Sequence, residues 1–429
     1  MISLILTCFF ILMLVGMPIG FVLGLTAVFG FLKMDDPVFM TMLSQRFFSA
    51  MNSYVYLALP LFLLAGDIMN KAGLTEKIVD FSNVFFGRLR GGLAQVNIAT
   101  SIIFGGISGS AVADTAALGS IFIPSMTKEG YDRDFSVAVT AASSVIAPII
   151  PPSIIMVLYG GLMGVSIAGL FAAGIVPGLL IAIGMMILTR FISKKRNYPQ
   201  HQEKITFKRV KTETSKAIWA LLMPVIILGG ILGGIFTPTE AAAVAVGYAL
   251  FLGFVVYRNV SLKDFYWLLF RNSVMMGVII LILSGAAVLA WLFAIEQLPQ
   301  AVAEVFTSIT DNRYILLLLI NLLMLIVGMF MDILSSLIIL GPILAPMAIN
   351  LGVDPLHFGI MMCVNLSIAM ITPPVGGCLF IGMVVGKISF GKMVRAIWPY
   401  ILVELVVLLM VIYIPDITMV MPKLLGFAG

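Results

Sequence analysis

The chain is a series of long apolar runs separated by short polar segments. The runs lie near residues 2–32, 54–69, 93–125, 135–190, 217–257, 265–295, 314–349, 356–386 and 396–421. A helix needs about 20 mostly apolar residues to cross a bilayer, and several runs are long enough to turn or break inside it. The pattern predicts an all-α polytopic membrane protein of roughly ten to twelve spans, with residues 2–31 as one retained helix.

The composition excludes a soluble fold. Of the 429 residues, 61% are apolar and only 10% are charged, against about 25% charged in an ordinary soluble domain. Cys8, Cys363 and Cys378 have no paired spacing, so the sequence predicts neither a disulfide framework nor a zinc site.

The net charge of +5 comes from one segment. Residues 193–216 hold eight basic and two acidic residues, and the rest of the chain is nearly neutral. Because cytoplasmic loops carry an excess of Lys and Arg, we expect a cytoplasmic linker between two halves, residues 1–192 and 217–429. A patch for nucleic acid or anionic lipid is the alternative explanation, and we expect no nucleic-acid partner.

The two halves match at a constant offset of 222 residues. The matched residues are Pro124 and Pro346, Gly130 and Gly352, Asp132 and Asp354, and the double prolines 151–152 and 373–374. Paired halves with Gly- or Pro-interrupted apolar segments are typical of secondary transporters, which bind substrate where the interrupted segments meet.

Each half contains a predicted re-entrant hairpin, at about 97–125 and about 315–346. In the first, the stretch Gly105–Ser110 carries too many glycines and serines for a good helix. Irregular backbone inside a membrane must be buried in protein or face a water-filled cavity, so the tip implies a site. The second run carries Gly328, Asp332, Ser335 and Ser336.

Each half also contains a predicted Pro-broken helix, at about 136–158 and about 356–386. A double proline removes two backbone donors and leaves carbonyls of the preceding turn unpaired. Those carbonyls can coordinate a cation, and a half-helix beginning at Ser153 or Val375 would point its positive end at an anionic group. The alternative is a simple kink satisfied by neighbouring helices.

Carboxylates within apolar runs are functional candidates because they are costly there. Asp114 and Asp332 lie beside the two predicted tips, where each could hold a cation or cap a hairpin arm. Asn365 is a further candidate ligand, with an interhelical hydrogen bond as the alternative. Asp67 and Glu404 lie near run ends and are expected at the membrane interface.

Thr237 and Glu240 have a structural explanation. Thr237 precedes Pro238, and Glu240 stands three residues after the threonine, so the sequence predicts a helix with a capping box.

An enzyme and a channel are the competing functions. Gly106-Ile107-Ser108-Gly109 has the form that intramembrane serine proteases place around their nucleophile, but that serine needs a base within reach. The two histidines are His201, in the linker, and His357, which has no supporting motif. No phosphate-binding Walker motif occurs either. We therefore expect no enzyme, and a passive channel for small anions is the other alternative.

The motifs together resemble the large membrane subunit of tripartite ATP-independent periplasmic (TRAP) transporters over nearly the whole chain. The residues that carry the resemblance are Leu59-Pro60-Leu61-Phe62 through Asp67, Gly105-Gly106-Ile107-Ser108-Gly109-Ser110 through Asp114, Pro151-Pro152-Ser153, Gly234 through Thr237-Pro238-Thr239-Glu240 to Ala243, and Thr372-Pro373-Pro374-Val375-Gly376.

The resemblance implies a sodium-coupled importer of organic acids, such as sialic acid or a C4-dicarboxylate, in the bacterial inner membrane. It implies two inverted repeats, an elevator-type movement, sodium as the coupling ion and no cofactor. Its partners would be a separate small four-helix membrane subunit and a periplasmic substrate-binding protein. The sodium ligands would come from Ser108, Asp114, Gly328, Asp332, Asn365 and Thr372, and the substrate site from Ser108, Gly109, Ser110, Pro151, Pro152, Ser153, Pro373, Pro374 and Gly376.

Overall fold

The computed structural model describes residues 2–34, 37–200, 206–310 and 312–427. These residues form helices and no strands, which confirms the predicted all-α fold. In chain order the helices are α1 (Ile2–Leu14), α2 (Ile19–Lys33), α3 (Pro37–Met51), α4 (Ala58–Lys71), α5 (Leu74–Phe86), α6 (Gly92–Ser108), α7 (Ala111–Lys128), α8 (Arg133–Ser144), α9 (Ile154–Met163), α10 (Ile167–Lys195), α11 (Phe207–Leu232), α12 (Pro238–Leu250), α13 (Leu262–Ile295), α14 (Leu298–Ile309), α15 (Arg313–Phe330), α16 (Ile333–Asn350), α17 (Pro355–Ala369), α18 (Gly377–Gly386), α19 (Phe390–Tyr413) and α20 (Asp416–Leu424).

Seven helices of the described ranges are each long and apolar enough to cross a membrane. The bent pair Val38–Met51 and Tyr54–Lys71 raises this number to as many as eight. Shorter apolar helices, among them α6, α9, α17 and α18, accompany them. The expected count of roughly ten to twelve spans therefore stays a prediction.

One predicted boundary is wrong. Residues 2–31 are not one helix, because α1 ends before Gly16, which has a φ of +83°, and α2 begins after Pro18. The linker 193–216 includes the ends of two helices, since α10 continues through Lys195 and α11 begins at Phe207. Lys and Arg are good helix formers, so both helices extend into the charged segment. His201 lies outside the described residues.

Helix α10 contacts the starts of both Pro-broken helices, one at each of its ends. Near its beginning, a Cβ added to Gly169 would lie 2.9 Å from a Leu356 methyl group at the start of α17. Just beyond its end, Arg196 Nη1 lies 2.8 Å from Asp132 Oδ2 at the start of α8. Helix α8 directly follows the α6–α7 pair, and α17 directly follows the α15–α16 pair. The end of α7 and the end of α16 therefore lie near opposite ends of α10.

A second set of helices packs beside these pairs. α13 packs against α2, α3 and α4, and α12 packs against α4. We call α2, α3, α4, α12 and α13 the α13 group. The α13 group meets the paired helices through contacts between α4 and α6 and between α13 and α16.

Candidate functional site

The tip of the first hairpin is a two-residue turn, Gly109 and Ser110, between α6 and α7. Gly109 takes a left-handed φ of +59°, which suits a residue without a side chain. Ser110 caps α7, and its hydroxyl accepts from Ala113 N at 3.4 Å. The Ser108 hydroxyl donates to the buried carboxylate of Asp114. This contact ties the end of α6 to the first turn of α7.

The first double proline lies directly under this tip. The Pro151–Pro152 bond is cis, and Ser153 caps α9 after it. The Ser153 hydroxyl donates to the Pro148 carbonyl at 2.5 Å. A Cβ added to Gly106 would lie 3.3 Å from the Pro151 carbonyl oxygen. The tip and the break therefore pack backbone against backbone.

The second hairpin packs on the second double proline in a similar way. Gly376 N donates to the Met329 carbonyl at 3.1 Å, which joins the break after α17 to the end of α15. The Pro373–Pro374 bond is also cis. The Thr372 hydroxyl donates to the carbonyl of Ile368, in the last turn of α17, at 2.8 Å.

In each hairpin a glycine packs closely against an alanine that lies just before the double proline. A Cβ on Gly105 would lie 2.7 Å from Ala147 Cα, and one on Gly328 would lie 2.6 Å from Ala369 Cβ. Ala147 and Ala369 are 222 residues apart, the same offset as the double prolines. Gly328 thus contributes close packing to the second break.

Asp332 caps α16. Its Oδ1 accepts from Leu334 N and Ser335 N, both at 3.0 Å, and its Oδ2 accepts from the Ser335 hydroxyl. Both carboxylate oxygens are therefore engaged by protein donors, which favours the capping alternative for this residue.

A cavity lies between the two hairpin tips. The first residues of three helices line it: Ala111 of α7, Ile154 of α9 and Ile333 of α16. The α13 group closes the other side. The remaining lining residues are Leu63, Gly109, Ser110, Val112, Pro148, Ile155, Met275, Ile279, Leu334 and Met370.

The cavity has no charged lining side chain in the part of the chain that the structure describes. Its polar character comes from Ser110 and from helix N-termini. The first N–H groups of a helix have no partner within that helix and carry partial positive charge. The N-termini of α7 and α9, which are capped by serine hydroxyls, therefore favour an anionic group there, whereas the Asp332 carboxylate already occupies the N-terminus of α16.

Several buried oxygens near the breaks have no hydrogen-bond partner among the described residues. They include Asp114 Oδ2 and Asn365 Oδ1. The Asn365 amide nitrogen donates to the Asn321 carbonyl at 2.8 Å and to Asn321 Oδ1 at 2.9 Å, so the interhelical hydrogen bond exists as well. Hard cations prefer carboxylate, carbonyl, amide and hydroxyl oxygens, and both oxygens suit that chemistry.

Sequence reasoning missed a buried polar seam between α6 and α8. Asn97 Nδ2 donates to the Thr140 hydroxyl at 2.6 Å, and the Ser101 and Ser143 hydroxyls lie 2.9 Å apart. The signal was present, since Asn97 and Ser101 lie four residues apart in an apolar run and share a helix face.

The structural candidates lie away from the cavity lining. Thr237 and Glu240 form a capping box at the start of α12. Asp67 Oδ2 accepts from Asn272 Nδ2 at 2.9 Å, which joins α4 to α13.

The interfacial assignment of Glu404 is wrong. Glu404 lies within α19 and its side chain is fully buried by neighbouring parts of the protein. Neither of its carboxylate oxygens has a partner among the described residues. Its position near the end of an apolar run misled the assignment, because α19 begins at Phe390, well before it.

The serine-protease alternative finds no catalytic pair in the described residues. Ser108 donates to Asp114, while His357 Nδ1 lies 2.7 Å from the Thr418 hydroxyl on α20.

Comparisons with known proteins indicate one family of membrane transporters. The family "Tripartite ATP-independent periplasmic transporter, DctM component" matches residues 6–417. The chain is 42% identical to the sialic acid TRAP transporter large permease protein SiaM of Vibrio cholerae, over 97% of both chains. It is 38% identical to the 2,3-diketo-L-gulonate TRAP transporter large permease protein YiaN of Escherichia coli, over 94% of both. The crystal structure of the Alcanivorax borkumensis YdaH transporter matches with a TM-score of 0.62 at 15% identity over 87% of both chains, which shows the fold alone.

Proposed function

Because this chain belongs to the DctM family of tripartite ATP-independent periplasmic transporters, we propose that it drives sodium-coupled import of an organic acid across the bacterial inner membrane. Relatives named as transporter permeases exclude the enzyme alternative. The chain is a multi-pass membrane protein and a TRAP large permease. The identity of the substrate, the coupling to sodium and the elevator movement are proposals.

The observation that carries the proposal is the convergence of the N-termini of α7 and α9 on the cavity between the hairpin tips. An organic acid presents a carboxylate, and the first-turn N–H groups at Ala111 and Ile154 can bind it without a basic side chain. The apolar remainder of the lining would contact the carbon skeleton. Sialic acid and 2,3-diketo-L-gulonate, the compounds in the relatives' names, are both sugar acids, and a C4-dicarboxylate is the other candidate class.

Sodium is proposed as the co-transported cation, bound beside the breaks. Asp114 offers a buried carboxylate oxygen that has no partner among the residues the structure describes, next to the Ser108 hydroxyl. The carbonyls of Pro151 and Pro152 face the same tip. At the second break, Asn365 Oδ1 and the carbonyls of Met370 and Thr372, which surround Gly376, are the corresponding candidates.

The proposed movement is an elevator, in which the hairpins and broken helices move against the α13 group. The location of the cavity supports this division. Met275 and Ile279 of α13 form one wall, and the hairpin tips form the other. A substrate held at such a boundary can be carried past a fixed wall, because its polar contacts come from one side only.

The linker side of the molecule is proposed to face the cytoplasm. Arg88, Arg90, Arg133, Lys195 and Lys392 collect at the end of α10 that carries the linker: Arg90 Nη2 lies 3.5 Å from Asn197 Oδ1, and Gln200 donates to the Arg88 carbonyl. This concentration of basic residues fits the positive-inside rule. The periplasmic binding protein would then deliver substrate at the opposite side, and the small membrane subunit would pack on exposed apolar helix faces.

Reconstitution tests the proposal. The permease, the small subunit and the binding protein are placed in proteoliposomes, and uptake of sialic acid, 2,3-diketo-L-gulonate and a C4-dicarboxylate is followed under a sodium gradient. We expect accumulation of one acid, and its loss when potassium replaces sodium. Unchanged accumulation in potassium rejects sodium coupling. Flux through the permease without its binding protein, and no accumulation against a gradient, supports the channel instead.

A further inference from the structure

A groove separates the last turn of α10 from the first turns of α19. Its floor is apolar and consists of Phe135, Ile192, Ala396 and Pro399. Its rim is basic and consists of Lys195, Arg196 and Arg395. Farther along, the two helices pack closely, since a Cβ on Gly184 would lie 2.7 Å from a Val403 methyl group. The groove is thus the place where two packed helices diverge at their ends.

Two of the three rim cations have no acidic partner within the described ranges of the chain. Arg196 is paired with Asp132 at 2.8 Å and with Asp134 at 3.7 Å. Lys195 and Arg395 form no ion pair with any residue that the structure describes. Both are exposed at the helix ends, on either side of the apolar floor.

A second basic cavity adjoins the groove and shares Arg395 with it. Arg133, Lys387 and Lys392 line this cavity, together with Asp132 and Asp134. Because Arg196 already neutralises much of those two carboxylates, the combined site has an excess of positive charge.

Exposed apolar side chains continue from the groove along the two helices. On α10 these are Ile187 and Phe191, and on α19 they are Trp398 and Leu402, each at least 45% exposed. Tryptophan is enriched at the membrane–water interface, so Trp398 places the rim at headgroup depth. Acyl chains can lie on the exposed residues below it.

We propose that this groove binds the headgroup of an anionic phospholipid, with its phosphate between Lys195 and Arg395 and its chains along Ile187 and Leu402. Basic pockets between membrane helices recognise such headgroups. A general excess of cytoplasmic charge explains Lys194, which lines neither cavity. It does not explain why Lys195 and Arg395, which have no ion-pair partner in the part of the chain that the structure describes, lie over an apolar floor that continues into exposed apolar side chains.

The test measures lipid binding to the purified full-length permease and needs no transport. Phosphatidylglycerol, cardiolipin and phosphatidylethanolamine are titrated into the detergent-solubilised protein, and bound lipid is followed by native mass spectrometry and by thermal stabilisation. We expect selective binding of the two anionic lipids. The double variant Lys195→Gln, Arg395→Gln should weaken it by about 30-fold, since each cation contributes about fivefold.

Lys194→Gln is the matched control, because it removes an adjacent cation outside the groove and should leave binding unchanged. Circular dichroism and size-exclusion profiles identify a variant that fails to fold, in which case the single variants Lys195→Gln and Arg395→Gln are compared with the control. Equal binding by the double variant and the wild type overturns the proposal. So does equal loss in Lys194→Gln, or competition by inorganic phosphate at the lipid's own concentration, which indicates a site for free anions.

Discussion

Gly109 lies against the carbonyl oxygen of Pro152: a Cβ added to Gly109 would be only 2.9 Å from that oxygen. The first hairpin tip therefore sits on the first break with no room for a side chain. Contact at this distance couples the geometry of the proposed substrate site to that of the proline break.

Gly109→Ala should abolish most transport while leaving the protein in the membrane. The new methyl group must displace the Pro152 backbone, and the left-handed φ costs a further 1–2 kcal/mol or so. Uptake in proteoliposomes is the measurement. Gly164→Ala is the control, since Gly164 also has a left-handed φ, +67°, but no atom within 4 Å of its Cβ position. Equal losses in both variants mean that backbone strain, and not contact, decides the result.

Asp114→Asn should raise the sodium concentration for half-maximal uptake at least tenfold. The amide keeps the shape and can still accept from Ser108, but it removes the charge that favours a cation. A sodium titration of uptake measures the change. An unaltered sodium dependence with reduced stability assigns Asp114 to hairpin structure alone.

Asp332→Ala should lower the free energy of unfolding by about 0.5–2 kcal/mol through loss of the α16 cap, whereas Asp332→Asn should retain most of it. Because both oxygens are engaged by α16 donors, we expect the Asn variant to keep its sodium dependence. Thermal unfolding and sodium titration are run on both variants. A sodium response lost in Asp332→Asn at unchanged stability establishes a cation ligand instead.

Glu404→Met should leave stability unchanged or raise it. The carboxylate is fully buried without a partner among the described residues, and replacing an unsatisfied polar group with an apolar one of similar size removes its desolvation cost. Asn365→Leu is the comparison, because it breaks two hydrogen bonds to Asn321 and should cost about 1–3 kcal/mol. Greater damage from Glu404→Met points to a partner for Glu404 outside the described chain.

Asp132→Asn should weaken the link between α8 and the end of α10 in a pH-dependent way. The Tyr198 hydroxyl and Arg196 hold the pKa of Asp132 below its ordinary value of 3.8, against the opposing effect of burial. A depressed pKa stabilises the folded state above pH 3.8, and this contribution disappears as the pH falls through the lower folded value.

The expected difference at neutral pH is about 1 kcal/mol or less, because the Asp132 side chain is 55% exposed. Thermal unfolding of wild type and variant should converge only below pH 3.8. Asp416→Asn removes a more exposed ion pair, with Lys423, and should change stability less. If the stability difference between wild type and Asp132→Asn is unchanged at the lowest pH, the charge of the carboxylate is not its cause.

Interruptions of helices can be predicted from the sequence because glycine and proline act locally: α6 ends before Gly109, and no helix continues through either double proline. Gly109 needs a left-handed backbone and the double prolines remove donors, so each leaves a mark that no distant contact can hide. The arms themselves, α6 to α7 and α15 to α16, extend a few residues beyond the predicted hairpins.

Partnerships between distant segments could not be predicted in the same way. Nothing in the local sequence of Glu404 shows that α19 is covered on the side where its carboxylate points. Asn97 and Thr140 form a pair only after α6 and α8 are packed together. Asp332 left two alternatives open in the sequence, and only hydrogen-bond directions favour one of them.

Helix α10 connects the two Pro-broken helices, because it contacts one of them near each of its ends. Its 29 residues span about 43 Å, and its ends hold Leu356 and Asp132. In the proposed elevator movement, α10 would hold the two Pro-broken helices at a fixed separation, so the two hairpins would travel together and in the same direction. Pro177 lies inside the helix, where proline removes a backbone hydrogen bond, so a bend of α10 is expected at this position. The substrate cavity would therefore be carried as a whole, without being pulled open between its two halves.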